Sequence, residues 1–235
     1  MRNMCVCDDI AYLSPKMKIF ELIDSNNSLL SIFSRLNIKL PFGDMSIEEL
    51  CQRDGYSHEL FIMLCRMHIS SNYRPSHDEF SSEMLPQVIH YLRATHNYYI
   101  DYMLPHAEKH LEEILAYCDT LSNKQLRRFY GDYVRRIEEH LKQEEDTLFT
   151  AIDSGMSACR AQKFDLDMPH TDIDDRTSDI ASLIIKYLPE EAPTQLRCAM
   201  LKDIYSLRDD LRRHAAVEMY LLKPLMDKFL KCDQQ

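Results

Sequence analysis

Two stretches of the chain repeat one arrangement: EEHLKQEED, residues 138–146, sets His140 and Glu144 four apart, and RRHAAVEMY, residues 212–220, does the same with His214 and Glu218. An imidazole and a carboxylate one helical turn apart can form an ion pair on a solvated helix face, or they can share a bound cation. Their neighbours decide between the two. At spacings of three and four the first segment reads Leu126, Tyr130, Tyr133, Ile137, His140, Glu144, Leu148, Ala151, and the second reads Met200, Ile204, Leu207, Leu211, His214, Glu218, Leu221, Leu225, Phe229. Each His-Glu pair therefore stands where a buried apolar side chain belongs. A carboxylate on an apolar seam is costly unless a strong partner offsets its lost hydration, and two of them on facing helices call for a common cation.

Two further stripes supply imidazoles to the same layer. Ile89, Leu92, His96, Tyr99, Met103 form one, and His170, Ile173, Thr177, Ile180, Ile184, Tyr187 the other. Counted from the end of the bundle where the first helix meets the second and the third meets the fourth, each of His96, His140, His170 and His214 lies roughly 18–22 residues in, or about 30 Å at the rise of an α-helix. Four imidazoles and two carboxylates suit a pair of first-row transition ions with open positions better than a single ion, and mixed nitrogen and oxygen ligation favours iron or manganese. Zinc more often takes fewer ligands and cysteine.

Those stripes require long helices, and the sequence supplies them. Four glycines and nine prolines among 235 residues, with long runs rich in Leu, Ile, Met, Glu, Lys and Arg, predict an all-α protein. Four helices are expected near 86–118, 122–153, 168–188 and 193–231, joined by mostly short connections that favour an up-down-up-down four-helix bundle. Pro105 should kink the first of them without ending it. Upstream, SPKMKIFELID with its proline in a first turn, NSLLSIFSRLN, SIEELCQRD opening on a Ser46/Glu49 capping box, and SHELFIMLCRMHIS predict a small helical cap. The polar stretch 70–82 reads as a linker, which divides the chain into a cap at 1–78 and a bundle at 79–235.

A net charge of −10 argues against a nucleic-acid partner, because phosphate-backbone affinity comes from clustered Lys and Arg. No apolar run reaches the roughly 18 residues of a membrane span, and the N-terminus has no signal-peptide core, so a cytoplasmic protein with no membrane partner is expected. The eight cysteines are then expected as thiols, Cys5 and Cys7 included. Gly-rich phosphate loops, Cys-x-x-Cys and hydrolase nucleophile signatures are all absent from the sequence.

Through THNYYIDYMLPHAEKHL, IEEHLKQEEDTLF, PHTDIDD and RRHAAVEMYLLKPLM the chain resembles the hemerythrin-like (HHE) di-iron family, and within it the RIC branch linked to repair of iron-sulfur clusters. The resemblance covers residues 85–231. It assigns the metal ligands to His96, His140, Glu144, His170, His214 and Glu218, and it implies two non-haem irons, oxo-bridged, with Mn or Zn as substitutes. It also implies a role in oxidative or nitrosative stress and iron-sulfur cluster repair. Reversible binding or sensing of O2 or NO, signalled through the N-terminal cap to a protein partner or a second copy, is the alternative, and a purely structural metal is a third reading. Whether the protein is an enzyme stays open. The cap weakly resembles the small domain that precedes the bundle in RIC proteins, but Pro41 and Phe42 stand where that pattern carries adjacent cysteines, and Pro169 precedes His170 where Glu is frequent.

The remaining histidines and tyrosines fall differently on these stripes. His106 and His110 lie four apart on the first bundle helix, but about 15 Å of helix separates His96 from His106, too far for one centre. They form either a separate metal site or, more commonly for such a pair, hydrogen-bonded or interface residues. His58, His68, His77 and His90 read as structural or surface histidines. Tyr99 and Tyr133 read as core aromatics with satisfied hydroxyls, or as donors to a metal-bound ligand.

Overall fold

The computed structural model describes residues 13–118, 120–153 and 167–229. Among them no β-strand occurs, and a single isolated bridge pairs Lys18 with Ser46. The chain forms two compact units: one holds the described residues up to Ala94 together with those from Ala216 onward, the other those between Thr95 and Ala215.

Four short helices open the first unit: α1 (Ile19–Ser25), α2 (Leu30–Arg35), α3 (Ile47–Asp54) and α4 (His58–Ile69). The capping box of α3 forms as its sequence implies: the Ser46 hydroxyl accepts from the Glu49 N–H at 3.3 Å, and the Glu49 carboxylate accepts from the Ser46 N–H at 2.7 Å. Gly55, at a φ of 79°, supplies the left-handed residue that ends the helix. The expectation that Pro15 sits in a first helical turn is corrected. It lies in a turn closed by the Met17 N–H on the Ser14 carbonyl, and α1 starts only at Ile19, where Glu21 reaches back to the Lys18 N–H. The core of this unit is apolar and aromatic, with Phe33 packed between Phe42 and Phe61 at 5.2 and 5.3 Å between ring centroids. Phe42 is thus a packing residue.

Four long helices follow in the chain, and their parts between Thr95 and Ala215 build the second unit. Helix α5 runs through Met84–Tyr98, Tyr99–Met103 and Leu104–Leu115; α6 through Leu121–Gln143, Glu144–Phe149 and Thr150–Asp153; α7 spans Asp167–Tyr187; α8 runs through Thr194–Val217, Glu218–Leu222 and Lys223–Phe229. The described ends fall within three residues of those expected from sequence, and residues 230–231 lie outside the described residues. Neighbouring helices run antiparallel. Arg127 pairs with Glu112 and the Tyr130 hydroxyl donates to the Leu104 carbonyl between α5 and α6; Tyr133 meets Thr177 and Arg136 meets Asp172 between α6 and α7; Arg212 pairs with Asp174 between α7 and α8. This is the up-down-up-down four-helix bundle, filled by Leu111, Leu126, Tyr130, Ile137, Ile180, Ile184, Ile204 and Leu207 among others. The stripe on α7 stops short of its expected end: Tyr187 is 52 % exposed, because it is the last helical residue and the chain turns away there.

The middle segments of α5, α6 and α8 are π-helical. In α5 and α8 the π segment ends two residues before a proline, Pro105 and Pro224. A proline has no N–H for the carbonyl four residues back and crowds it sterically, and one wider turn relieves both conflicts without ending the helix. The continuation expected past Pro105 is therefore present, carried by a π turn.

Candidate metal centre

Helices α5, α6 and α8 bring His96, His140, Glu144 and His214 together inside the second unit. All four side chains are at least 96 % buried. Glu144 is fully buried, with His140 Nε2 at 3.1 Å from one carboxylate oxygen and His96 Nε2 at 3.3 Å and His214 Nε2 at 3.9 Å from the other. His96 and His214 face each other with Nε2 atoms 3.3 Å apart. Glu218, also fully buried, stands one turn past His214 on the same helix. Helix α7 carries His170 in its first turn, but that side chain lies outside the described residues, as do those of Pro169, Cys5 and Cys7.

The π segments of α6 and α8 each begin at a glutamate of the repeated motif, Glu144 and Glu218. A wider turn at that point changes the angular register of the residues beyond it, so that on α6 Leu148 and Phe149 both turn inward past Glu144. Insertions of this kind gather at functional sites, where they re-aim side chains that a regular helix would send elsewhere.

Around the four lies a supporting layer, of which sequence reasoning named Tyr99 and missed Glu145 and Phe149. The Glu145 carboxylate takes the Nδ1 of His96 at 2.9 Å, which directs the Nε2 of that ring inward. Phe149 stacks on the other side of His96 at 5.4 Å and 19°, and Tyr99 meets the His214 ring edge-on at 5.8 Å and 78°. Inside the run EEDTLF, Glu145 gives no hydrophobic periodicity to trace and reads as solvated, although it is the residue that orients an imidazole. Tyr133 resolves to the structural role: its hydroxyl bonds to Thr177 at 2.9 Å, and burial pushes its ionisation well above the ordinary tyrosine range.

A cavity of about 270 Å³ opens between α6, α7 and α8, with His140 and His214 on its wall and Thr177, Asp174, Arg208 and Arg212 also lining it. Arg212 is held in a two-bonded pair with Asp174, at 2.6 and 2.9 Å. A molecule of a few atoms has room there beside two of the buried imidazoles.

Do these side chains suit a metal? Ligand atoms of His96, Glu144 and His214 lie within 4.8 Å of one another, all buried, and imidazole nitrogen with carboxylate oxygen is the donor set of first-row transition ions. A carboxylate amid three imidazoles in an apolar surround is hard to account for as a fold element, since the same volume filled by Leu would be no less stable. Residues 87–226 match the model of the hemerythrin HHE cation binding domain. The chain belongs to the hemerythrin HHE family. No curated protein matches it.

Family membership carries cation binding, and the buried His/Glu group can hold a metal. Among the other histidines of this hemerythrin-family chain, His68 is buried and bonds Ser28 at 3.0 Å, while His90 is exposed, both as expected of structural and surface residues. His106 and His110 are held apart from the buried group, beside Asp203 of α8.

Proposed function

We propose that this chain is a non-haem di-iron protein whose metals are held by His96, His140, Glu144, His170, His214 and Glu218, and that it acts under oxidative or nitrosative stress, in the maintenance of iron-sulfur clusters. One observation carries the reading: a fully buried carboxylate, Glu144, within 3.1–3.9 Å of three imidazole nitrogens from three helices. Two irons there would supply one-electron chemistry and open positions for a small ligand. The protein's own part is to hold and orient the donors and to limit access to them. Glu145 fixes the tautomer of His96, Phe149 and Tyr99 close the sides, and the cavity beside His140 and His214 admits small molecules from the α7–α8 side.

A second reading, reversible binding or sensing of O2 or NO, draws support from the first unit. Its two described cysteines, Cys51 and Cys65, are buried to 1 % exposure or less, and burial pushes the Cys51 thiol up to about 12 and that of Cys65 higher still. Thiols held protonated are poor nucleophiles and poor metal ligands, so they do not replace the missing cysteine pair in repair chemistry.

Elemental analysis of protein purified without chelator tests the di-iron reading: close to two irons per chain is expected, and near-zero metal or one zinc per chain overturns it. Incubation with an oxidatively inactivated iron-sulfur dehydratase separates the two functions. Recovery of its activity supports maintenance; no recovery, with a stable visible-band adduct on exposure to O2 or NO, supports sensing.

A further inference from the structure

Helices α5 and α8 meet a second time within the same unit, about 15–20 Å of helix away from His96, and bring together His106, His110 and Asp203. We propose that these three residues form a separate, solvent-accessible site for a single divalent transition ion, with zinc as the best fit.

Three observations carry it. The two histidines are four residues apart, which puts both imidazoles on one helix face, and their rings meet at 4.6 Å and 62°. Asp203 offers one carboxylate oxygen to each: Oδ2 lies 2.5 Å from His110 Nδ1, and Oδ1 lies 4.0 Å from His106 Nε2. Tyr102, one turn before His106, stacks flat on its ring at 5.6 Å and 5° and limits its swing. Two imidazoles and a carboxylate, with water completing a tetrahedron, are a familiar three-residue zinc set.

The distances set what binding must change. Around a tetrahedral zinc with bonds of about 2.0–2.1 Å, donor atoms sit roughly 3.3 Å apart. The His110–Asp203 pair has to open and the His106–Asp203 pair has to close, each by a side-chain movement of under about 1 Å from those values. Both are cheap. The His106 side chain is 44 % exposed and those of His110 and Asp203 are 22 % exposed, so no core packing resists the shift. This site needs no iron to exist, and its readout, zinc uptake, is measured separately from the content of the buried centre.

Zinc chloride is titrated into the full-length, iron-loaded protein, and bound zinc and iron are both measured after equilibrium dialysis. One zinc per chain beyond the as-isolated content, with iron unchanged, is expected. His106→Ala, His110→Ala and Asp203→Asn should each weaken that uptake at least tenfold while keeping the iron content and the helical circular dichroism of the parent. Cobalt(II) as a coloured probe should give a ligand-field spectrum of mixed nitrogen and oxygen coordination, lost in His110→Ala. No uptake of added zinc, uptake only at the expense of iron, or uptake unchanged in the three variants each overturns the proposal and leaves the cluster a hydrogen-bonded pair.

Discussion

Helices α5 and α8 each contribute to two polar clusters, and the clusters differ in one respect that governs everything else about them. Around Glu144 the donors are at least 96 % buried; around Asp203 all three side chains reach solvent. In the first, each charge has lost its hydration, so every donor depends on its neighbours and the cluster tolerates no vacancy. In the second, water can take the place of any missing partner, and a histidine-carboxylate pair is worth little in stability. The same residue types on the same helices are thus obligatory in one layer and optional in the other. Burial should also separate the two in kinetics, because an ion held among buried donors would leave more slowly than one held at the surface.

Removal of one donor from each cluster should expose that difference most strongly. His140→Ala is expected to lose most of the bound metal and to lower stability by about 3–5 kcal/mol, since the buried Glu144 carboxyl then has one fewer partner. His106→Ala should leave both iron and stability within about 1 kcal/mol of the parent. Metal analysis and denaturant unfolding of the two variants decide it, and equal losses would break the contrast.

Chelation is the next largest effect. An excess of a strong chelator should strip a zinc ion from the exposed cluster within the mixing time but remove the proposed iron over hours, and loss of the buried metal should lower the melting temperature more than loss of zinc, since only there do buried donors lose their counter-charge. If iron leaves as fast as zinc, the buried centre is open to solvent in solution.

Smaller still is Tyr133→Phe, a change inside the bundle core but outside the donor set. Thr177 also donates to the Ile173 carbonyl at 2.7 Å, so it keeps a partner when the tyrosine hydroxyl goes. A cost of about 1 kcal/mol in unfolding free energy with unaltered iron content is expected. Loss of iron in this variant would assign Tyr133 to the metal chemistry after all.

The least effect belongs to the surface pairs that tie the helices together. Arg176 and Arg136 hold the Asp172 carboxyl below its ordinary range, and Arg127 does the same for Glu112. A depressed carboxylate contributes stability above its unfolded pKa and loses that contribution as pH falls through the folded value. Both pairs are well exposed, so screening should keep the contribution of each to about 0.5 kcal/mol. Arg136→Ala should lower stability by about that amount across the neutral plateau, with the difference from the parent fading below about pH 4 as Asp172 protonates in both. A loss at pH 7 well beyond that size would show the pair to be more deeply embedded than its exposure indicates.

Much of this architecture was legible from spacing alone. The stripes through His140–Glu144 and His214–Glu218 repeat every three or four residues, and a helix face with that period has one buried side whatever it packs against. Helix ends were readable to within three residues because caps and prolines act locally. Tyr187 and Pro15 were misread for the opposite reason: the end of a stripe and the start of a short helix depend on where the chain turns away, which periodicity does not report.

Residue types and their spacing by themselves determined that the protein is all-α, that its long helices pack antiparallel, and that histidines and glutamates share a buried layer, because these features arise from interactions one turn apart. Only the tertiary structure decided what those residues meet. Glu145 reaches His96 across 49 positions and Asp203 reaches His110 across 93, pairings made by helices packing and not by any local pattern. It also decided the π turns that begin at Glu144 and Glu218, which balance backbone hydrogen bonding against side-chain packing between helices and leave no periodic trace in the sequence.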